Sequence, residues 1–169
     1  AGEPQIVLRG MATGPGGNPT AGVVIDEVPY TRSRGLFLNS VPDIDPGDLR
    51  HLEVLRGPQG TLYGASNMGG LLKYVTLDPA TDAFSGQVSV GTTHVHYGDD
   101  LGYSVRGSVN IPVAETLGLR LSGFTVKDPG YIDNPQAGQK DSNDRDGHGG
   151  RVAMLWQPAE STSVKFGAI

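Results

Sequence analysis

Hydrophobic and polar residues alternate with a period of two through most of the second half of the chain and through little of the first. Phe84, Gly86, Val88 and Val90 fall on one face, with Ser85, Gln87, Ser89 and Gly91 on the other. Tyr103, Val105, Gly107, Val109 and Ile111 alternate with Ser104, Arg106, Ser108 and Asn110. Leu117, Leu119 and Leu121 alternate with Gly118, Arg120 and Ser122. Val152, Met154 and Trp156 alternate with Arg151, Ala153 and Gln157, with Leu155 breaking the polar face. Val164, Phe166 and Ala168 alternate with Ser163, Lys165 and Gly167. Such segments predict antiparallel strands, about five in all.

The connections between them sharpen the picture. They run long at 94–101, short at 112–116, long at 128–149 and short at 158–162. Long extracellular loops alternating with short periplasmic turns are the habit of outer-membrane barrels, whose strands put apolar residues toward lipid and polar ones toward the lumen. A soluble β-sandwich sheet with one wet face has the same alternation. The loop asymmetry favours the barrel.

The first half, residues 1–83, has mixed local signals. Ile6-Val7-Leu8 and Val23-Val24-Ile25 are short apolar runs, separated by a Gly- and Pro-rich loop over 11–20. Asp45-Pro46 predicts a helix start, with Asp as N-cap, Pro at the first helical position and Asp48 in the first turn. That helix is brief, because Leu52-Glu53-Val54-Leu55 alternates as a strand does. Pro58 opens a second short helical turn that Gly64 ends, and Leu71 to Leu77 is a last strand. Glycines at 57, 60, 64, 69 and 70 sit among apolar pairs, where a flexible linker would be polar throughout. They read as sites of positive φ or close backbone approach. The expected fold is mixed: a small α+β domain over 1–83, then over 84–169 about five antiparallel strands of an incomplete transmembrane β-barrel.

Composition narrows the function. Gly contributes 26 and Pro 12 of 169 residues, which suits a turn-rich β protein. A net charge of −5 without a basic run argues against nucleic acid. No apolar run approaches the ~18 residues of a membrane-spanning helix, which leaves strands as the means of crossing. With no cysteine there is neither a disulfide nor a thiol nucleophile. The chain reads as a piece cut at both ends, since Ala1 opens without a signal segment and Ile169 falls inside a strand pattern.

Several motifs in the first half occur in an order that resembles the plug domain of TonB-dependent outer-membrane receptors. They are Leu8-Arg9-Gly10, Ile25-Asp26-Glu27-Val28-Pro29, Val54-Leu55-Arg56-Gly57-Pro58-Gln59-Gly60, Leu62-Tyr63-Gly64 and Gly69-Gly70. The resemblance implies a plug that fills a barrel of roughly 22 strands. It also implies a cell outer membrane location in a Gram-negative bacterium and import of a scarce nutrient such as a ferric siderophore. TonB, acting through an upstream box, would supply the energy, and lipid would surround the barrel. In the family, plug arginines pair with acids on the inner barrel wall, which assigns that role to Arg9 and Arg56. A guanidinium fork suits carboxylates. A nearby acid such as Glu53 or Asp48 is the alternative partner. Loops 11–20 and 31–42 take the ligand-facing positions, with Arg32, Arg34 and Asn39 as contacts for an anionic or hydroxyl-rich chelate. Gly10, Gly57, Gly60, Gly64, Gly69 and Gly70 are the structural glycines. A passive barrel or surface binding protein is the competing reading.

Other chemistry is thin. His94 and His96 share a strand face, but only Asp99 and Asp100 could join them, which falls short of a metal site. The stretch Asp141 to Gly147 starts like a calcium loop, yet Arg145 stands where an oxygen ligand belongs and Val152 replaces the closing Glu. No phosphate loop, serine elbow or acid–base carboxylate pair is present, so neither an enzyme nor a cofactor is expected.

Overall fold

The structure is a computed structural model and describes residues 8, 20–30, 44–64, 67–96, 100–133, 138 and 142–169. The chain divides into two compact units. One gathers Gly2–Pro42 and Leu49–Leu77, the other Asp43–Asp48 and Asp78–Ile169. Residues 44–48 therefore pack with the later strands although they lie within the 1–83 region.

The first unit is built on a four-stranded sheet: β1 (Ala21–Ile25), β2 (Val28–Pro29), β3 (Leu49–Arg56) and β4 (Gly70–Thr76), in the order β2-β1-β4-β3. Strands β1 and β4 pair in parallel, and β3 runs antiparallel to β4. All five residues of β1 are buried, as a central run of Ala, Gly, Val, Val and Ile should be. Val24 and Leu71 lie at the centre of this core. The β1–β2 turn places Asp26 at φ 53°, a left-handed conformation that Asp tolerates better than most residues. Its carboxylate then accepts hydrogen bonds from the Thr76 N–H and hydroxyl, tying the turn to the end of β4. Glu27, in the same turn, accepts from Lys73 Nζ at 2.8 Å. That bond holds the Lys73 amine above its ordinary pKa, and burial raises the Tyr74 phenol.

Helix α1 (Gly60–Tyr63) starts two residues later than the Pro58 signal suggests and ends at Gly64, where φ is 77°. Gly70 has φ 142°, and a Cβ there would run into the Leu55 carbonyl across the β3–β4 pair. The β3–β4 ladder shifts register between Leu49 and His51.

The second unit is an up-and-down sheet of β5 (Ser85–His94), β6 (Leu101–Ala114), β7 (Leu117–Asp128), β8 (Arg145–Ala159) and β9 (Thr162–Ala168), each antiparallel to the next. The strands outrun the apolar alternation, so the long connections shrink from 94–101 and 128–149 to 95–100 and 129–144. Two of the added rungs carry opposite charges, Lys127 opposite Asp146 and Asp128 opposite Arg145. Opposite charges across a ladder support pairing as apolar pairs do.

Which face is covered separates barrel from sandwich. On the apolar face Val88 is 77% exposed, Val90 70% and Phe166 57%. On the polar face Asn110 is 2% exposed and Ala153 4%. A sandwich would cover the apolar side. This sheet does the reverse, as a barrel wall facing lipid must.

Candidate functional site

The polar face of the second unit holds an acid–arginine cluster. Its acids come from the 3₁₀ turn Pro46–Asp48, which Asp45 caps: Oδ1 accepts from Gly47 N at 3.1 Å and its carbonyl from Asp48 N at 3.0 Å. The cap and the fixed φ of Pro46 make the turn stiff.

Period-two geometry sends Arg106, Arg120 and Arg151 of three adjacent strands to the same side. Ser122 lies opposite both Ser108 and Arg151, while Arg120 lies opposite Asn110 and Ala153. Asp48 Oδ1 accepts from Arg120 Nε at 2.6 Å. Its Oδ2 accepts from Ser122 Oγ at 2.8 Å and from Arg151 Nη1 at 2.9 Å. The Asp48 side chain is only 2% exposed, and the side chains of Arg120 and Arg151 11% and 10%. A buried carboxylate between two guanidiniums is costly to desolvate and costlier still to leave half-paired.

Asp45 makes a looser contact. Arg106 Nε lies 2.9 Å from Asp45 Oδ1, an ion pair by distance, but the N–H is misaligned and makes no hydrogen bond. Beside it opens a polar cleft of about 380 Å³, lined by Asp45, Gly47, Gln87, Ser89, Arg106 and Ser108.

A second grip lies lower on the same face. Asn110 accepts from Ala80 N at 2.8 Å and donates to the carbonyls of Ala80 at 3.1 Å and Ala83 at 2.7 Å. One amide thus fixes the connection between β4 and β5. Gly118 lets that connection lie flat, since a Cβ there would come within 2.7 Å of the Ala80 carbonyl oxygen. Leu155, the apolar exception on the polar face, is the register partner of Gly118 and is 9% exposed. Lys165 Nζ meets Asp78 Oδ1 at 2.7 Å. Replacing Asn110 by alanine leaves three backbone groups without their partner, an expected loss of about 1–3 kcal/mol. Faster proteolytic cutting at 78–83 in the full-length protein would show it, and an unchanged cutting rate would refute it.

The residues expected from sequence lie elsewhere. Arg9, Gly10, Arg32, Arg34 and Asn39 fall outside the described residues. Arg56 ends β3 with its side chain exposed. Among the described residues it makes no ion pair with Glu53, which instead meets His51 at 2.8 Å, or with Asp48, which is held by Arg120 and Arg151. Gly57 and Gly69 are joined by a backbone hydrogen bond at 3.2 Å, and Gly60 opens α1 with open space where a Cβ would stand. His94 ends β5, exposed, and no group of three metal-ligating side chains occurs among the described residues. Residues 145–147 of the calcium-like stretch are in β8.

Arg106, Arg120, Arg151 and Asn110 were not singled out by sequence, and Asp45 and Asp48 were read only as a cap and as a possible partner for a plug arginine. The parity of the three arginines, all on polar-face positions of neighbouring strands, was the available signal.

Residues 1–71 match the family model of the TonB-dependent receptor plug domain. The pesticin receptor of Yersinia pestis is 31% identical over 140 residues, covering 80% of this chain and 19% of its own length. The ferric enterobactin receptor PirA of Pseudomonas aeruginosa is 29% identical over 138 residues, covering 74% of this chain and 18% of its own. Among solved structures, the ferric yersiniabactin uptake receptor FyuA of Yersinia pestis superposes with a TM-score of 0.74 at 26% identity, covering 96% of this chain and 24% of that one. The siderophore receptor PirA gives 0.66 at 23% identity, covering 94% of this chain and 26% of that one. This chain thus spans about a fifth of the length of the curated relatives it matches. The matched family is one of outer-membrane receptors rather than enzymes. A plug-family first half, joined to a sheet with lipid-type exposure and the same fold as these receptors, places the chain in the TonB-dependent receptor family.

Proposed function

We propose that the protein carrying this chain is an outer-membrane receptor that binds a scarce nutrient of the ferric siderophore type and imports it, energised by TonB. The observation that carries this reading is the reversed sheet: its apolar face is open, and its polar face grips a turn from the plug region. A pore that merely leaked would have no use for a gripped insert. The names of the relatives supply the ligand class. Arg9 and Arg56 are assigned to acids on later strands of the barrel wall, and Arg32, Arg34 and Asn39 to the ligand-facing loops. Outer-membrane lipid is the partner of the exposed apolar face. Import in this scheme needs no bond made or broken in the cargo, so no catalytic role is assigned.

The test is growth of an iron-starved strain that lacks its own siderophore receptors and expresses the full-length protein. Rescue by one ferric siderophore, lost when TonB is deleted, is the expected result. Uptake that persists without TonB would establish the passive barrel instead.

A further inference from the structure

Two segments, one leading into β3 and one leaving β4, are held on the wall's polar face. Asp45–Asp48 is gripped by Arg106, Arg120, Ser122 and Arg151. Pro79–Ala83 is gripped by Asn110 and lies flat on Gly118.

These segments lead directly into the two strands of one ladder. Leu49, next after Asp48, pairs with Thr76, and Asp78 follows two residues later. The base of the β3–β4 pair is therefore secured on both chains. Just past that base the ladder loses register between Leu49 and His51, the only irregularity in it. Two of the boundaries between the compact units fall at the same places, between Asp48 and Leu49 and between Leu77 and Asp78. A grip, a flaw in the ladder and a unit boundary thus coincide on one strand, and a grip and a unit boundary on the other.

We propose that Asp45–Asp48 and Pro79–Ala83 are a two-point mooring that stays closed throughout import, with the opening movement confined to the four-stranded sheet and its loops. The inference rests on the transport reading above. Its physical reason is the asymmetry of the two alternatives. Releasing the mooring would strip a 2%-exposed carboxylate from two guanidiniums, leaving the two guanidiniums on the wall and the carboxylate on the turn without partners. Flexing at Leu49–His51 disturbs only rungs that are already out of register.

The experiment uses the full-length receptor with cysteines at Gly47→Cys and Ser89→Cys, which line the same cleft, bridged in cells by a short bis-maleimide. This part of the chain has no cysteine of its own to interfere. The bridged receptor should import at the rate of the unbridged one. Import lost on bridging, with ligand binding retained, would overturn the mooring. Failure of the unbridged receptor to import any ferric siderophore would remove the transport reading and this inference with it. A second measurement needs no bridge. Ala153→Cys, 4% exposed on the gripped face, should stay unlabelled by maleimide during energised import, and Val24→Cys, 1% exposed in the sheet, should gain labelling. Labelling in the opposite sense would overturn the proposal.

Discussion

Replacing Asp48 with alanine should destabilise the gripped turn by about 3–5 kcal/mol, the cost of removing one partner from a buried ion pair. Two guanidiniums lose their carboxylate at once, and Ser122 loses its acceptor. The barrel has its own ladder hydrogen bonds, so the loss should appear in the plug-side chain and not in strand content. The measurement is protease sensitivity of residues 44–48 in the full-length receptor, together with entry of a large antibiotic that the intact outer membrane excludes. Asp48→Asn should fall between wild type and alanine, because the amide keeps an acceptor oxygen but loses the charge. Asp45→Ala should cost about 1–2 kcal/mol, because it removes the cap to Gly47 N while the contact it loses with Arg106 is already misaligned. Equal effects at positions 45 and 48 would show that burial does not set the strength of this cluster.

The second large effect belongs to the opposite face. Val88→Arg puts a charge on a side chain that is 77% exposed yet belongs, in this reading, in hydrocarbon. Val88 lies opposite Gly107, midway along β6. Near the bilayer midplane an arginine costs about 2–4 kcal/mol. The folded, heat-modifiable form of the receptor in outer-membrane fractions should fall accordingly. Ser163→Arg, also exposed but on the polar face of β9, should stay within about 0.5 kcal/mol of wild type. If the two substitutions behaved alike in membranes, the apolar face would not be a lipid face.

Sequence disclosed the strands better than their ends. Period two is a local signal, readable wherever apolar residues mark one face, and all five wall strands appear at the positions it gives. It fades where both faces become polar. For that reason residues 128 and 145–149 read as loop, although Lys127–Asp146 and Asp128–Arg145 continue the ladder as charged rungs. The capped turn at Asp45-Pro46 was also legible, because a cap is made by neighbours. What it touches was not. Asp48 and Arg151 lie 103 residues apart, and no local pattern links them. The resemblance directed attention to arginines on the plug side, while the described structure sets acids there against arginines on the wall. Leu155 looked like a flaw in a polar face. Its pairing with Gly118, where the chain from Pro79 to Ala80 lies close, explains it.

The same alternation bears on how such a chain reaches its membrane. A residue that will face lipid is flanked on each strand by residues that will face water, so no single segment is greasy by itself. Mean hydropathy is −0.24, and among the described residues no helix is long and apolar enough to cross a bilayer. Export machinery that sorts segments by averaged hydrophobicity has nothing here to retain. The affinity for lipid is latent in single strands and emerges only when neighbours come into register and gather every second residue onto one surface. Delivery to the outer membrane and insertion into it are thereby separated in time by the act of strand pairing.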